Sequence, residues 1–233
     1  MLSGPAAVLT EVSAVLEASQ VAEILHELSS AQWADGRGSA GYLSHAVKHN
    51  QQLPDADPTA LKLGQIILRK LESNAKFVSA ALPHKVLPPL FNRYEVGAEY
   101  GPHIDGAIRP VTGTPHRIRT DLSATLFLSA PDEYDGGELV IEDPSGTRSL
   151  KLAAGDMVLY PSSSVHRVSP VTRGVRFAAF FWIQSMVRDD AKRRILFELD
   201  GAIQALATSL GENRELVRLA GVYHNMLRLW ADT

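Results

Sequence analysis

The feature that most restricts this chain is a change of apolar periodicity near Pro83. Beyond it, short apolar runs alternate with turn residues: Leu122 to Leu128, Leu139 to Ile141, Leu150 to Leu152, Met157 to Tyr160 and Val175 to Ile183. Runs this short, rich in β-branched and aromatic residues, suit strands better than core helices. Asp135-Gly136-Gly137 and Gly155-Asp156 stand between them as tight-turn signals. Several short strands spread over about 100 residues predict an antiparallel barrel or double-sheet jelly roll.

Helical periodicity flanks this core. From Val8 to Leu28 the apolar residues Val12, Val15, Leu16, Val21, Ile24, Leu25 and Leu28 recur near helical spacing, and Leu63, Ile66, Ile67 and Leu71 repeat the pattern. Pro54 to Pro58 is suited to start that second helix, and the Gly- and Ser-bearing stretch Asp35 to Gly41 lies between the two. Neither segment reads as a flexible linker. From Val187 onward the helical period returns through Ile195, Leu196, Leu199, Ile203 and Leu206, then Leu216, Leu219 and Leu227. The expected fold class is a mostly β core with flanking helices (α+β): N-terminal helical support over residues 1–85, a sheet core over 86–186 and a C-terminal helical extension over 187–233. The charged run Arg188 to Arg194 reads as the solvated start of a helix.

At 233 residues and 45% hydrophobic composition the chain can bury one substantial core. Cysteine is absent, which excludes disulfides, thiolate zinc sites, iron–sulfur clusters and cysteine nucleophiles. Any metal must be held by nitrogen and oxygen. A net charge of −3 with interspersed signs offers no footprint for a nucleic-acid backbone. No stretch approaches the roughly 20 apolar residues of a membrane helix, so no membrane partner is expected. Met1 to Thr10 carries no basic cluster ahead of an apolar core, and Glu11 and Glu17 soon follow; a cytoplasmic location is the expectation. Apolar residues in the terminal helices offer a candidate homodimer surface.

Within the core, His103 and Asp105 are one residue apart, so on an extended strand both side chains leave the same face and can meet one metal ion. Such a pair is weak evidence alone, because the chain has 8 histidines. His166 strengthens it. A third ligand from a strand neighbouring across a closed sheet would complete a face of two histidines and one carboxylate, leaving positions for a bidentate ligand and dioxygen. The competing reading of His166 is a strand-end histidine with a satisfied hydrogen bond.

Arg176 lies in Val175 to Ile183, a run whose composition says both faces are buried. An uncompensated charge there would cost several kcal/mol, so the guanidinium needs an anion. Either a protein carboxylate such as Asp121 or Glu138 supplies it, or the distal carboxylate of a dicarboxylate ligand does. Arg176 follows His166 by ten residues, one hairpin turn away. Phe180 and Trp182 share its strand parity and either wall a pocket or fill core. Gly106 to Arg119 reads as a long loop, a lid or a solvated surface segment.

The order His103-x-Asp105, His166, Arg176 resembles the Fe(II)/2-oxoglutarate oxygenases. Around it, Pro88 to Tyr94, Arg119 to Leu128, Tyr134 to Leu139, Leu159-Tyr160-Pro161 and Phe181 to Ser185 are similar to the bacterial PKHD-type hydroxylases of the prolyl hydroxylase-like branch. The resemblance covers nearly the whole chain, with Met1 to Leu9 divergent. It implies a distorted double-stranded β-helix, with His103, Asp105 and His166 as metal ligands and Arg176 as the 2-oxoglutarate anchor. It also implies that Tyr94 points its hydroxyl at 2-oxoglutarate, against the alternative of a core tyrosine with a backbone partner. Fe(II), 2-oxoglutarate and O2 are the implied cofactors, with L-ascorbate a candidate reductant. The implied activity is hydroxylation of a C–H bond in an unidentified small-molecule or peptidyl substrate, releasing succinate and CO2. Two rivals remain open at this point: a cupin-like metalloenzyme without 2-oxoglutarate, against which Arg176 argues, and a non-catalytic ligand-binding barrel.

Overall fold

The ten-residue strand Arg176–Ser185 is the spine of the molecule. In the computed structural model, which describes residues 9–39, 41, 44–143, 146–211 and 213–233, it pairs antiparallel with Leu122–Phe127 on one side and Leu90–Tyr94 on the other. The sheet continues through Met157–Pro161 to Thr10–Val12, and in the other direction through Gln51–Gln52 to Ala34–Asp35. Pro83–Val86 pairs with the far end of the spine. A second sheet has the order Gly146–Leu150, Leu139–Asp143, Val165–Val168, Glu99–His103, Lys48–His49. Two antiparallel sheets with a shared interior form the double-sheet jelly roll that the strand pattern predicts, the double-stranded β-helix that the resemblance implies.

Strand alternation divides the large sheet into two faces. Phe181, Ala179 and Ile183 of the spine join Phe91, Leu122, Ala124, Leu126, Met157 and Leu159 in one buried cluster with the N-terminal helices. The opposite parity, including Tyr94, Phe127, Val158 and Tyr160, packs toward Leu139, Ile141, Leu150 and Val168 of the second sheet. Burial of both faces explains why the strands read as nearly continuous apolar runs. Buried polar residues interrupt the inner parity at Asn92, Ser123, Thr125 and Arg176.

Helices α1 (Ala18–Ser29), α2 (Pro58–Glu72) and α3 (Ala75–Ala81) back the large sheet. The start of α2 is as its sequence suggests. Asp57 caps it by accepting from the backbone N–H of Thr59 and Ala60, and Pro58 occupies the first turn, where its missing N–H costs nothing. α4 (Asp190–Leu210) and α5 (Arg214–Trp230) form the C-terminal hairpin. Tyr223, Met226, Leu227 and Trp230 pack on Leu82, Val187 and Leu196, which docks the hairpin beside the core. Among the described residues no helix is long and apolar enough to cross a membrane.

Several local expectations are corrected. The helical reading from Val8 fails before Ala18, because Thr10–Val12 is a strand edge paired with Met157–Leu159 and Ala14 turns the chain with φ 52°. Met1 to Val8, and Ala40 within the Asp35 to Gly41 stretch, lie outside the described residues. The strand expected at Leu150 to Leu152 instead spans Gly146–Leu150, where pairing with Leu139–Asp143 outweighs an exposed polar sequence. Asp135-Gly136-Gly137 is not a hairpin turn, since Asp135–Gly136 bridges to Val171–Arg173. Gly106 to Arg119 is not a loose loop either. It holds the hairpin Ile108–Pro110 with Arg117–Arg119, tied at its base by Thr120, whose Oγ1 donates to the Gly106 carbonyl at 2.8 Å. The run from Arg188 is only partly solvated. Arg193 is 4% exposed, donates to the Val187 and Arg188 carbonyls at 2.6 and 2.9 Å, and pairs with Asp190.

Candidate active site

His103 and His166 are directly opposed across the pair Glu99–His103 and Val165–Val168, with ring centroids 4.2 Å apart. Asp105 lies just past the end of its strand rather than on it, yet it reaches the same point. One ligand atom from each of the three residues falls within 4.8 Å of the others, and His166 Nε2 is 3.7 Å from Asp105 Oδ2. Each imidazole is oriented by its backbone: His103 Nδ1 lies 2.8 Å from the Gly101 carbonyl and His166 Nδ1 lies 3.0 Å from the Ser164 carbonyl. A carbonyl can only accept, so Nδ1 carries the proton on both rings and both Nε2 lone pairs face the cluster. Burial, reinforced by the neighbouring His166, pushes His103 down to about 4, which keeps it neutral as a metal requires. Ser123 Oγ donates to Asp105 Oδ2 at 2.6 Å and contacts Ser162 Oγ at 2.8 Å, fixing the carboxylate from behind.

Arg176 enters the same cavity from the large sheet. Val165–Val168 and Arg176–Ser185 belong to different sheets, so the connection between His166 and Arg176 is a crossing of the sandwich rather than the single hairpin turn expected. Arg176 is 1% exposed and lies opposite Tyr94 in the ladder, its guanidinium carbon 5.2 Å from the Tyr94 ring and 5.4 Å from the Phe127 ring. Neither suggested carboxylate pairs with it. Asp121 binds Arg119 Nε at 2.6 Å and the Ser185 N–H at 2.9 Å, while Glu138 takes the Ser169 hydroxyl. Among the described residues, Arg176 Nε and Nη2 have no hydrogen-bond partner. A buried cation with two donors unanswered is a receptor for an anion, and the planar fork fits a carboxylate.

Around that guanidinium, burial pushes the Tyr94 hydroxyl above its ordinary range and so keeps it a neutral hydrogen-bonding group; it accepts from Asn92 Nδ2 at 3.2 Å. Tyr134 is fully buried and stands against Arg176 without a well-formed hydrogen bond. Gly137, at φ 66°, permits this approach: a Cβ there would lie 3.1 Å from Arg176 Cδ and from Tyr134 Cε2.

His103, Asp105, His166, Arg176, Tyr94 and Asn92 line one cavity of about 670 Å³ together with Phe180, Trp182, Lys48 and Arg109. Phe180 and Trp182 therefore are pocket walls, as their parity allows. All five residues singled out in the sequence, Tyr94, His103, Asp105, His166 and Arg176, face this cavity. Sequence reasoning missed Lys48, Asn92, Arg109, Ser123 and Tyr134. Asn92 and Ser123 left a readable signal, as polar residues on one parity of otherwise apolar strands. Lys48 and Arg109 left none, since both arrive through strands of two or three residues.

The sequence profile of the 2OG-Fe(II) oxygenase superfamily matches residues 89–184, the segment that carries all five residues. Residues 190–232 match the profile of the PKHD-type hydroxylase C-terminal domain. A PKHD-type hydroxylase of Saccharophagus degradans is 56% identical over 225 residues, covering 97% of this chain and 100% of that one. One from Pseudomonas putida strain W619 is 54% identical over 224 residues, covering 96% and 99%. Solved structures share the fold at low identity. The epimerase SnoN, in complex with Fe3+, alpha ketoglutarate and nogalamycin RO, aligns with TM-score 0.53 at 18% identity over 77% of this chain and 79% of its own. A Trichoplax adhaerens prolyl hydroxylase in complex with a peptide fragment aligns with TM-score 0.51 at 15% identity, covering 81% and 86%.

The fold and the profile together define an Fe(II)/2-oxoglutarate-dependent dioxygenase. Within that class, the chain belongs to the PKHD-type hydroxylase family. The cupin-like and non-catalytic alternatives are thereby set aside.

Proposed function

We propose that His103, Asp105 and His166 hold Fe(II) on one face, that Arg176 and Tyr94 hold the far carboxylate of 2-oxoglutarate, and that the enzyme hydroxylates a C–H bond of a substrate lodged in the rest of the cavity. The observation that carries this reading is the conjunction, in one cavity, of two imidazoles and a carboxylate with a buried arginine whose Nε and Nη2 find no hydrogen-bond partner among the described residues. The bound metal and 2-oxoglutarate supply dioxygen activation, in which 2-oxoglutarate leaves as succinate and CO2 and one oxygen atom enters the substrate. The resemblance to the family extends this to L-ascorbate as the reductant.

Each protein group has a distinct task. The Gly101 and Ser164 carbonyls hold both imidazoles in the tautomer that presents Nε2, and Ser123 fixes Asp105 so that its oxygen stays aimed at the metal. Arg176 binds through two parallel hydrogen bonds, which set the angle as well as the position of the co-substrate. Tyr100, stacked on His103 at 3.6 Å, and Tyr160, edge-on to His166 at 5.0 Å, keep water from the imidazoles.

Calorimetric titration with Mn(II) tests the metal half. His103→Ala, Asp105→Ala and His166→Ala should each abolish tight binding while leaving the protein folded, because each removes one of three protein ligands. Wild-type affinity retained in any two of them would overturn the assignment. Incubating the Fe(II)-loaded enzyme with 2-oxoglutarate and a lysate fraction should yield products heavier by one oxygen atom in step with succinate.

A further inference from the structure

One amide oxygen in the cavity is unanswered. Asn92 is 7% exposed and lines the cavity, yet its Oδ1 has no hydrogen-bond partner among the described residues. The strand ladder fixes where that oxygen stands. Asn92 lies opposite Ala178, between the Tyr94–Arg176 pair and the Leu90–Phe180 pair, so the amide separates the co-substrate end of the cavity from its aromatic end. Two residues of extended strand put it about 7 Å from Tyr94. Ala178, which lines the cavity beside it, offers only a methyl group and leaves the amide uncovered.

Tyr94 decides which end of the amide is open. A phenol has one proton, and in the proposed site that proton goes to the far carboxylate of 2-oxoglutarate. Toward Asn92 the phenol oxygen can then only accept, which it does from Nδ2 at 3.2 Å. Oδ1 is thereby left as a lone acceptor. 2-Oxoglutarate, a dianion, carries acceptors and no donor, so it cannot answer that oxygen. A buried acceptor without a partner forfeits its hydration uncompensated, so a donor must arrive with the substrate or as an ordered water. The substrate's donor must also be neutral. Among the described residues that line the cavity, Asp105 is the one acidic side chain and it belongs to the metal cluster, so an ammonium seated there would have no free carboxylate to pair with.

We propose that Asn92 is a substrate-binding residue whose Oδ1 accepts a hydrogen bond from a neutral N–H or O–H of the substrate, an amide or a hydroxyl, and so fixes where along the cavity the substrate lies; this rests on the Fe(II)/2-oxoglutarate reading above. The apolar part of the molecule then lies along Phe180 and Trp182, whose rings meet edge to face with centroids 5.4 Å apart. One amide thus serves both ligands: Nδ2 steadies the phenol that holds the co-substrate, and Oδ1 takes the substrate. Because the amide is anchored through Nδ2, its oxygen is aimed before the substrate arrives. The cavity volume suits a small molecule of this kind beside the co-substrate.

The test uses Mn(II)-loaded protein, with 2-oxoglutarate raised to saturation in each variant, and follows the metal-enhanced proton relaxation of paired probes. These are 3-phenylpropanamide with its N,N-dimethyl derivative, 3-phenylpropan-1-ol with its methyl ether, and 3-phenylpropylammonium. In the amide pair or the alcohol pair the donor should bind about tenfold or more tightly than its methylated partner, and the pair that does so names the donor. Asn92→Leu should erase that preference. Ala178→Ser, which puts a hydroxyl on the opposite strand beside the same oxygen, should reduce it with Asn92 and its bond to Tyr94 intact, and guards against a folding failure at Asn92. Equal affinity within both pairs would overturn the proposal and leave the oxygen to an ordered water. So would a preference that survives in Asn92→Leu, or the ammonium binding most tightly. Failure of the underlying reading shows separately, as a wild type that binds no Mn(II) or no 2-oxoglutarate, and takes the proposal with it.

Discussion

The two faces of Arg176–Ser185 carry different work on one backbone. Phe177, Ala179, Phe181 and Ile183 point into the helix-backed cluster, whereas Arg176, Ala178, Phe180 and Trp182 line the cavity. Both sets are paired to the same two strands, so ladder hydrogen bonding cannot distinguish them. What differs is the far side: one face packs against the N-terminal helices, the other meets a cavity holding a buried guanidinium with Nε and Nη2 unpartnered among the described residues. Stability and chemistry therefore alternate residue by residue, and substitutions one position apart should fail in different ways.

The largest expected effect lies on the helix side. Phe181→Ala empties a fully packed site and should lower stability by ~3–5 kcal/mol, read by denaturant or thermal unfolding, without a selective loss of 2-oxoglutarate affinity. Next comes the cavity side. Arg176→Lys keeps the charge but loses the planar fork, and should weaken 2-oxoglutarate binding by ~2 kcal/mol or more while sparing Mn(II) affinity. Calorimetry with each ligand in turn separates the two; equal losses for both ligands would erase the distinction between the faces.

A smaller effect is expected on the neighbouring strand. Ser123→Ala removes the hydroxyl that fixes Asp105 and should weaken metal binding about 10- to 100-fold, with little change in melting temperature of the metal-free protein. The smallest effect concerns Lys48, whose folded pKa of about 8 lies below its ordinary 10.5. Its burial penalty is fully present below pH 8 and fades as pH rises toward 10.5, where the unfolded chain also loses the proton. Relative to Lys48→Met, the wild type should thus gain stability across that window, read as a rise in its melting temperature relative to the variant's. A difference constant with pH would show that the ammonium is not penalised by its surroundings.

Much of this architecture was legible in the sequence where one residue type has one physical reason to be present. Pro54 to Pro58 announced the start of α2, a nearly continuous apolar run marked the spine, and a buried arginine demanded an anion. The triad was legible as a spacing, although Asp105 reaches the cluster from beyond its strand and not from the strand face. What stayed hidden depends on long-range pairing. Lys48 reaches the cavity because Lys48–His49 pairs with Glu99–His103, and two residues carry no periodicity. Thr10–Val12 looked helical because Val12, Val15 and Leu16 are buried by a sheet edge at nearly helical intervals. Arg193 looked solvated because its partners are backbone carbonyls just ahead of its helix, which composition does not reveal.

The most direct measurement of the central claim is the thermal melt of the Mn(II)-loaded wild type and of Arg176→Met, each with and without saturating 2-oxoglutarate. A ligand that binds only the native state raises the melting temperature, so the wild type should shift upward. Arg176→Met should remain folded, because methionine replaces a buried charge with a flexible apolar chain, and should show little or no shift. An Arg176→Met protein that is unfolded, beside a wild type indifferent to 2-oxoglutarate, would contradict the claim and return Arg176 to a purely internal role.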